Sequence, residues 1–152
     1  AVQGGTQILL ELTAGSGTSV GATFENLQSI IEQIPEDQQH RLGICFDTCH
    51  AYSAGYDLVN DYDSVWVRFD EVIGLERLGL IHMNDSKHPF ESRKDRHENI
   101  GQGTLGPEPF QRIMLDERLG HVPKILETPK GDEGNTADIA NLDLLRGFRA
   151  SA

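Results

Sequence analysis

The chain is poor in several residue types, and each scarcity narrows the range of possible proteins. Its 152 residues include two cysteines, one tryptophan, and 13 basic residues against 24 acidic ones. No apolar run approaches the roughly 20 residues that a membrane-spanning helix needs, and no signal-peptide pattern opens the chain. These absences predict one soluble cytoplasmic domain over residues 1–152, with no membrane partner.

The two cysteines, Cys45 and Cys49, lie four positions apart near the end of one strand-like run. Along an extended chain that separation is too long for an easy disulfide, and the spacing is not the usual one of a zinc knuckle. We therefore expect two buried thiols in a reducing cytoplasm, and we place neither of them in a functional site.

The scarcity of basic residues gives the chain a net charge of −11 at pH 7. Such a charge argues against nucleic acid binding, because contacts with phosphate usually need a basic face. Two or three bound zinc ions, however, would return about four to six positive charges at one place. Lys87, Arg93, Lys94 and Arg96 also lie within one short segment. The global charge disfavours DNA, whereas the local charge permits it.

Strand-like and helix-like patterns alternate along the whole chain. Strand-like runs cover 7–12, 42–48, 80–84 and 124–127, and helical periodicity covers 24–34, 65–73, 110–114 and 139–148. This order predicts four parallel strands with right-handed helical crossovers, an α/β architecture. In such sheets the loops that follow the strands gather at one end, where functional residues usually lie.

Each strand-like run carries a residue that can bind a cation at or near its end, and further candidates lie just beyond. The seven candidate ligands are Glu11, Asp47, His50, His82, Asp95, His97 and Glu127. A mixed set of nitrogen and oxygen ligands suits zinc or manganese better than calcium. Because one zinc ion usually takes about four ligands, the number predicts a cluster of two or three ions.

A cluster of this kind indicates hydrolysis at phosphorus. Bound ions lower the pKa of a water molecule and stabilise the departing oxyanion. Such chemistry requires no nucleophilic serine or cysteine, and the sequence shows no prominent one.

Five segments carry a specific family resemblance. They are 11–15 (Glu-Leu-Thr-Ala-Gly), 47–50 (Asp-Thr-Cys-His), 82–86 (His-Met-Asn-Asp-Ser), 95–97 (Asp-Arg-His) and 127–129 (Glu-Thr-Pro). In this order, and through essentially the whole chain, they resemble the endonuclease IV family of zinc-dependent apurinic/apyrimidinic endonucleases.

The resemblance implies a TIM (β/α)8-barrel type of fold, of which the chain has only part. A complete barrel has eight strands and usually about 250 residues, whereas four strands are predicted in these 152 residues. The chain resembles the carboxyl-terminal half, with about four βα units. A half barrel leaves open sheet edges. We therefore expect self-association, or pairing with a missing amino-terminal half.

The resemblance also implies an activity and residue roles. The reaction would be hydrolysis of the phosphodiester 5′ to an abasic site in duplex DNA, as in base excision repair. One zinc ion would be held by Asp47, His82 and Glu127 together with Glu11, which would bridge to a further zinc. His50, Asp95 and His97 would hold the third zinc. Glu11 and Glu127 would be catalytic, and Lys87 and Arg96 would contact DNA phosphates.

Two other functions remain open at this point. Related barrels act as metal-dependent sugar isomerases or epimerases. The segment 95–97 and the basic residues within 87–96 count against this function. A neutral sugar needs no phosphate contact. The third hypothesis is a half-barrel module that binds zinc without catalysis. One or two manganese ions would favour the isomerase, and two or three zinc ions the nuclease.

Overall fold

The computed structural model describes residues 6–131 and 135–150 of the chain. The strands are β1 (Ile8–Glu11), β2 (Leu42–Asp47), β3 (Leu78–His82), β4 (Asp85–Ser86), β5 (His97–Glu98) and β6 (Lys124–Ile125). The helices are α1 (Phe24–Glu32), α2 (Glu36–Gln39), α3 (Thr48–Ala54), α4 (Tyr62–Val72), α5 (Glu108–Leu115) and α6 (Thr136–Ala150). No helix in these two ranges is long and apolar enough to cross a membrane.

Four strands form one parallel sheet in the order β1-β2-β3-β6. Its register places Asp47 opposite His82, and His82 opposite Ile125. The carboxyl ends of the four strands therefore lie at the same edge of the sheet. This confirms the predicted α/β architecture and matches half of a (β/α)8 barrel.

The helices cover one face of the sheet and bury most of the core there. Phe46 of β2 contacts Trp66 and Phe69 of α4, at ring-centroid distances of 4.6 and 6.1 Å. Phe24 of α1 joins the same cluster, 5.2 Å from Phe69. Since these large rings are all fully buried, their burial is a major stabilising contribution, and it fixes the sheet against the helices.

The opposite face of the sheet carries small residues. Gly43 and Gly79 lie there beneath the Leu9 side chain. A Cβ atom would come within 2.8 Å of that side chain at Gly43 and within 2.6 Å at Gly79, so both positions require glycine. The Leu9 side chain of β1 thus packs across β2 and reaches β3. Ile8 and Ile125, on the two edge strands, are 55% and 44% exposed. The described residues therefore leave both edges of the sheet without a partner strand.

Several details differ from the prediction. The strand β6 ends at Ile125, so Glu127 lies two residues beyond it rather than at its end. The helix α3 begins directly after β2 and was not predicted. The segment between β3 and α5, for which no strand beyond residue 84 was predicted, contains the small β4–β5 hairpin. On α6, Ile139 and Leu142 are exposed although periodicity assigned them to the buried face, whereas Asn141 and Leu145 are buried.

Candidate metal centre

All seven candidate ligands lie at the carboxyl-terminal edge of the sheet. Glu11, Asp47 and His82 are the last residues of the three neighbouring strands β1, β2 and β3. The other four follow the strands closely in space, as His50 in α3, Asp95 and His97 at the hairpin, and Glu127 after β6. Their ligand atoms form two groups in which the atoms lie within 4.8 Å of one another.

The first group consists of Glu11, Asp47, His82 and Glu127. The Nδ1 atom of His82 lies 3.4 Å from Glu11 Oε1, 3.5 Å from Asp47 Oδ2 and 3.0 Å from Glu127 Oε2. In a tetrahedral zinc shell with bonds of about 2.0–2.1 Å, neighbouring ligand atoms lie about 3.3 Å apart. The separations therefore fit ligands that surround one cation.

The Nδ1 atom of His82 provides a separate test of this fit. It is buried and has no hydrogen-bond partner of acceptable geometry among the described residues, despite the three carboxylates around it. A buried ring nitrogen without a partner is costly. A cation between this nitrogen and the carboxylates would satisfy it, so the residues fit a metal ion.

The second group consists of His50, Asp95 and His97. Asp95 Oδ1 lies 3.2 Å from His50 Nε2 and 3.3 Å from His97 Nε2, and the two Nε2 atoms are 3.5 Å apart. These three distances again match the edges of a zinc tetrahedron. Two imidazole nitrogens and one carboxylate oxygen therefore face a common centre.

The backbone orients both imidazoles of the second group. His50 Nδ1 lies 2.9 Å from the carbonyl oxygen of Leu12, and His97 Nδ1 lies 3.0 Å from the carbonyl oxygen of Glu127. A ring that donates its Nδ1–H to a carbonyl leaves Nε2 unprotonated and free to bind a metal. This arrangement is typical of histidine ligands.

Without a cation, the acidic surroundings keep protons on His50 and His82. Close contacts with His50 and His82 lower the pKa of Glu11 to about 2. Close contacts with Asp47, Cys45 and Glu11 raise the pKa of His82 to about 12. Burial opposes charge on His50, but Glu11, Asp47 and Asp95 outweigh it and raise its pKa to about 9. These protons occupy the positions that a cation would take.

Local sequence explains how Asp47 reaches both groups. It ends β2 and is the N-cap of α3, where its Oδ1 atom accepts a hydrogen bond of 2.9 Å from the His50 N–H. Its Oδ2 atom lies 3.5 Å from His82 Nδ1 and 3.7 Å from His97 Nε2. One residue thus turns the chain from strand to helix and faces the two metal-binding groups.

Asp85 organises the loop that follows the hairpin. Its carboxylate is fully buried and accepts four backbone hydrogen bonds, from Ser86, Gly101, Gly103 and Leu105, at 2.7 to 3.0 Å. In the hairpin, Asp85 pairs with Glu98 and Ser86 with His97. The prediction missed this residue, although a charged residue directly after a strand was a usable signal.

The cysteines are free and buried, as predicted. Their sulfur atoms nevertheless lie beside candidate ligands, Cys45 with Glu11 and His82, and Cys49 with Asp47 and His97. Burial raises the pKa of both thiols, that of Cys49 to about 11. In the metal-free chain both therefore stay protonated at neutral pH.

Two cavities adjoin the centre. One, of about 440 Å³, is lined by Glu11, His50, Asp95, His97 and Glu127, among others. A second, of about 370 Å³, is lined by Ser16, His88, Lys94, Asp95 and Arg96. Of the two predicted DNA contacts, Arg96 lines the second cavity. Lys87 lines neither and lies 3.9 Å from the Glu98 carboxylate. Lys94 was missed as a candidate.

Comparison with known proteins agrees with this architecture. A family model described as a xylose isomerase-like TIM barrel matches residues 1–147. A probable endonuclease 4 from Trichlorobacter lovleyi is 56% identical over 145 residues, which is 93% of this chain and 50% of the relative. One from Methanosphaera stadtmanae is 51% identical over 94% of this chain and 50% of its own length.

A solved structure also resembles the chain closely. The crystal structure of endonuclease IV from Thermus thermophilus superposes with a TM-score of 0.82 at 42% identity, over 95% of this chain and 50% of that one. The chain therefore spans about half the length of the relatives that it matches.

Proposed function

This chain belongs to the endonuclease IV family of AP endonucleases, built on a xylose isomerase-like TIM barrel, and we propose that it contributes a zinc centre for phosphodiester hydrolysis 5′ to abasic sites in duplex DNA. The observation that carries the proposal is the convergence of seven ligand residues into two groups at one sheet edge. The likeness to proteins named endonuclease 4 supports the choice of reaction.

Zinc is the proposed metal, with one ion in each group of this chain. Both groups mix imidazole and carboxylate ligands at separations that suit tetrahedral zinc. A third ion would share Glu11, and its remaining ligands would come from outside these residues. Bound zinc supplies Lewis acidity, which lowers the pKa of water and stabilises negative charge on phosphate oxygens.

The chain's own residues have distinct proposed roles at this centre. Glu11 and Glu127 line the larger cavity, with side chains 40% and 46% exposed, so both can contact a substrate that enters it. We assign these two as the catalytic carboxylates. Arg96 and Lys94 border the neighbouring cavity and supply the positive charge that a DNA phosphate needs. Lys87 remains a proposed phosphate contact at the rim.

The centre needs further protein to work as a nuclease. The chain covers half of its relatives, and its edge strands β1 and β6 lack partners among the described residues. We assign it to the carboxyl-terminal half of a barrel. A complementary half, or a second copy in its absence, would close the sheet and cover the inner face. The cytoplasm, where thiols stay reduced, is the proposed location.

A sugar isomerase or epimerase is the second candidate, because the matching family model is described as xylose isomerase-like. The basic side chains Lys94 and Arg96 beside the centre favour a phosphate-containing substrate instead. Metal content separates the two functions, since the nuclease requires zinc in both groups.

The direct test is incision of a DNA duplex that contains one abasic site. The duplex is incubated with zinc and the chain alone, and with zinc and a mixture of the chain and the amino-terminal half of the Thermus thermophilus enzyme. We expect the mixture to cut the strand 5′ to the lesion, and we expect a chelator or Asp47→Ala to abolish the cut. His121→Ala, an exposed histidine away from the centre, is the matched control. If the mixture with zinc leaves the duplex intact, or if Asp47→Ala cuts normally, the proposal is wrong.

A further inference from the structure

Asn84 connects two of the candidate ligands, although it is not a ligand itself. It lies two residues after His82 and is fully buried. Its Nδ2 atom donates a hydrogen bond of 2.6 Å to Asp47 Oδ2, and its Oδ1 atom accepts one of 2.8 Å from the Glu127 N–H. The side chain thus links the end of β2 to the segment after β6.

These two partners determine the orientation of the Asn84 amide. An asparagine side chain has two donor hydrogens on nitrogen and an acceptor oxygen. The carboxylate of Asp47 needs the donor, and the N–H of Glu127 needs the acceptor. A flipped amide would lose both hydrogen bonds, so one orientation is strongly preferred.

The backbone of Asn84 is held as well. Its N–H donates to Thr48 Oγ1 at 2.9 Å, and Thr48 Oγ1 lies 2.7 Å from the Asn84 carbonyl oxygen, to which it donates. Thr48 is fully buried at the start of α3. Because Thr48 directly follows Asp47, the end of β2 provides both the candidate ligand and the hydroxyl group that holds the Asn84 backbone.

Hydrogen bonds to both oxygen atoms fix the orientation of the Asp47 carboxylate. Its Oδ1 atom accepts from the His50 N–H, and its Oδ2 atom accepts from Asn84. A carboxylate oxygen has a second lone pair, and Oδ2 also lies 3.5 Å from His82 Nδ1. The amide therefore holds the carboxylate in an orientation in which Oδ2 faces the first group.

We propose that Asn84 is a positioning residue that preforms the first metal-binding group by orienting Asp47 and tethering the backbone of Glu127. This inference rests on the proposed function, since it requires a cation to be bound there. Loss of such a supporting partner typically reduces metal affinity about 10- to 100-fold. The second group, with His50, Asp95 and His97, does not contact the Asn84 side chain through any described hydrogen bond.

The experiment compares zinc affinities of the 152-residue chain and its variants by competition with a chromophoric chelator. Asn84→Ala removes the amide, and Asn84→Ser is a second, milder variant in case the first does not fold. Asn141→Ala is the matched control, because Asn141 is also buried and its amide bonds to Ile100, Asn99 and Thr128 rather than to a ligand side chain. Circular dichroism verifies that each variant is folded.

We expect two zinc equivalents in the unaltered chain. In the Asn84 variants, one equivalent should bind about 10- to 100-fold more weakly, while the affinity of the other should fall much less. The visible absorption of the cobalt-substituted chain should change for the weakened site only, which a general loss of stability would not produce. Asn141→Ala should bind both equivalents normally.

Two results would overturn the inference alone. The first is normal zinc affinity in the Asn84 variants, and the second is an equal weakening of both equivalents that Asn141→Ala reproduces. A different result, in which the unaltered chain binds no zinc at all, would overturn the proposed zinc centre and the role of Asn84 with it.

Discussion

The Nε2 atoms of His50 and His97 face each other at 3.5 Å, although 47 positions separate the two residues in the chain. The Asp95 carboxylate lies 3.2 and 3.3 Å from them. Since each Nδ1 atom is within hydrogen-bond distance of a backbone carbonyl oxygen, two unprotonated nitrogens would point at the same place. A shared cation would bind both nitrogens and the Asp95 carboxylate at once.

The first prediction concerns the number of bound metal ions. His97→Ala should lose one of two zinc equivalents, because it removes one of three ligands of the second group and leaves the first group intact. Elemental analysis after gel filtration measures the content. His121→Ala, which changes an exposed histidine, is the control. Unchanged zinc content in His97→Ala would refute the assignment of this group.

The second prediction concerns the loop after the hairpin. Asp85→Asn places an NH2 group against backbone N–H donors, of which the carboxylate now accepts four. We expect the free energy of unfolding to fall by about 2–4 kcal/mol. The amides of Gly101, Gly103 and Leu105 should also exchange their hydrogens faster.

Urea unfolding and hydrogen exchange measure these effects. Asp57→Asn is the control, because that partly exposed carboxylate also accepts backbone hydrogen bonds, from Val59 and Asn60, but in a turn at the surface. Equal losses of stability in the two variants would show that burial of Asp85 has no special role.

The third prediction concerns acid stability on the outer surface. Burial acts to raise the pKa of Asp116, but hydrogen bonds from Arg118 outweigh it and hold this pKa below its usual value. A lowered pKa in the folded state means that the carboxylate stabilises the fold above about pH 3.9, and that this contribution is lost as the pH falls through the folded-state pKa.

Asp116→Asn should therefore cost about 1–3 kcal/mol at pH 7 and progressively less below about pH 3.9. Urea unfolding at several pH values provides the comparison. Asp61→Asn is the control, because Asp61 lies exposed before α4 and makes no side-chain capping hydrogen bond. A difference between Asp116→Asn and the unaltered chain that stays constant down to about pH 2.5 would contradict the lowered pKa.

The fourth prediction concerns the open sheet edges. In the absence of a complementary half, we expect the chain to self-associate, because β1 and β6 have unpaired edges among the described strands and expose Ile8 and Ile125. Ile8→Lys and Ile125→Lys should shift the mass measured by light scattering toward the monomer. Val67→Lys, at a half-exposed position on α4, should not. A strictly monomeric, well-folded unaltered chain would exclude self-association.

The predictable part of this protein was the part with strong periodicity. Apolar runs marked the four parallel strands, and the polar residues at or beyond their ends marked the seven candidate ligands. The helix α3 escaped prediction because nearly all of its residues are buried, so that it has no amphipathic pattern. Its usable signals were Asp47 as N-cap and Gly55, at a φ of 111°, just after its end.

The sequence by itself determined which residues meet at the sheet edge, because the carboxyl ends of parallel strands must gather there. It also determined the family, through the segments that contain those residues. Only the tertiary structure decided the distances within each group and which nitrogen of His50 and of His97 is available to a metal ion. It also decided the link from Asn84 to Asp47 and Glu127. The physical reason is that hydrogen bonds between residues 37 and 43 positions apart leave no periodic trace in the sequence.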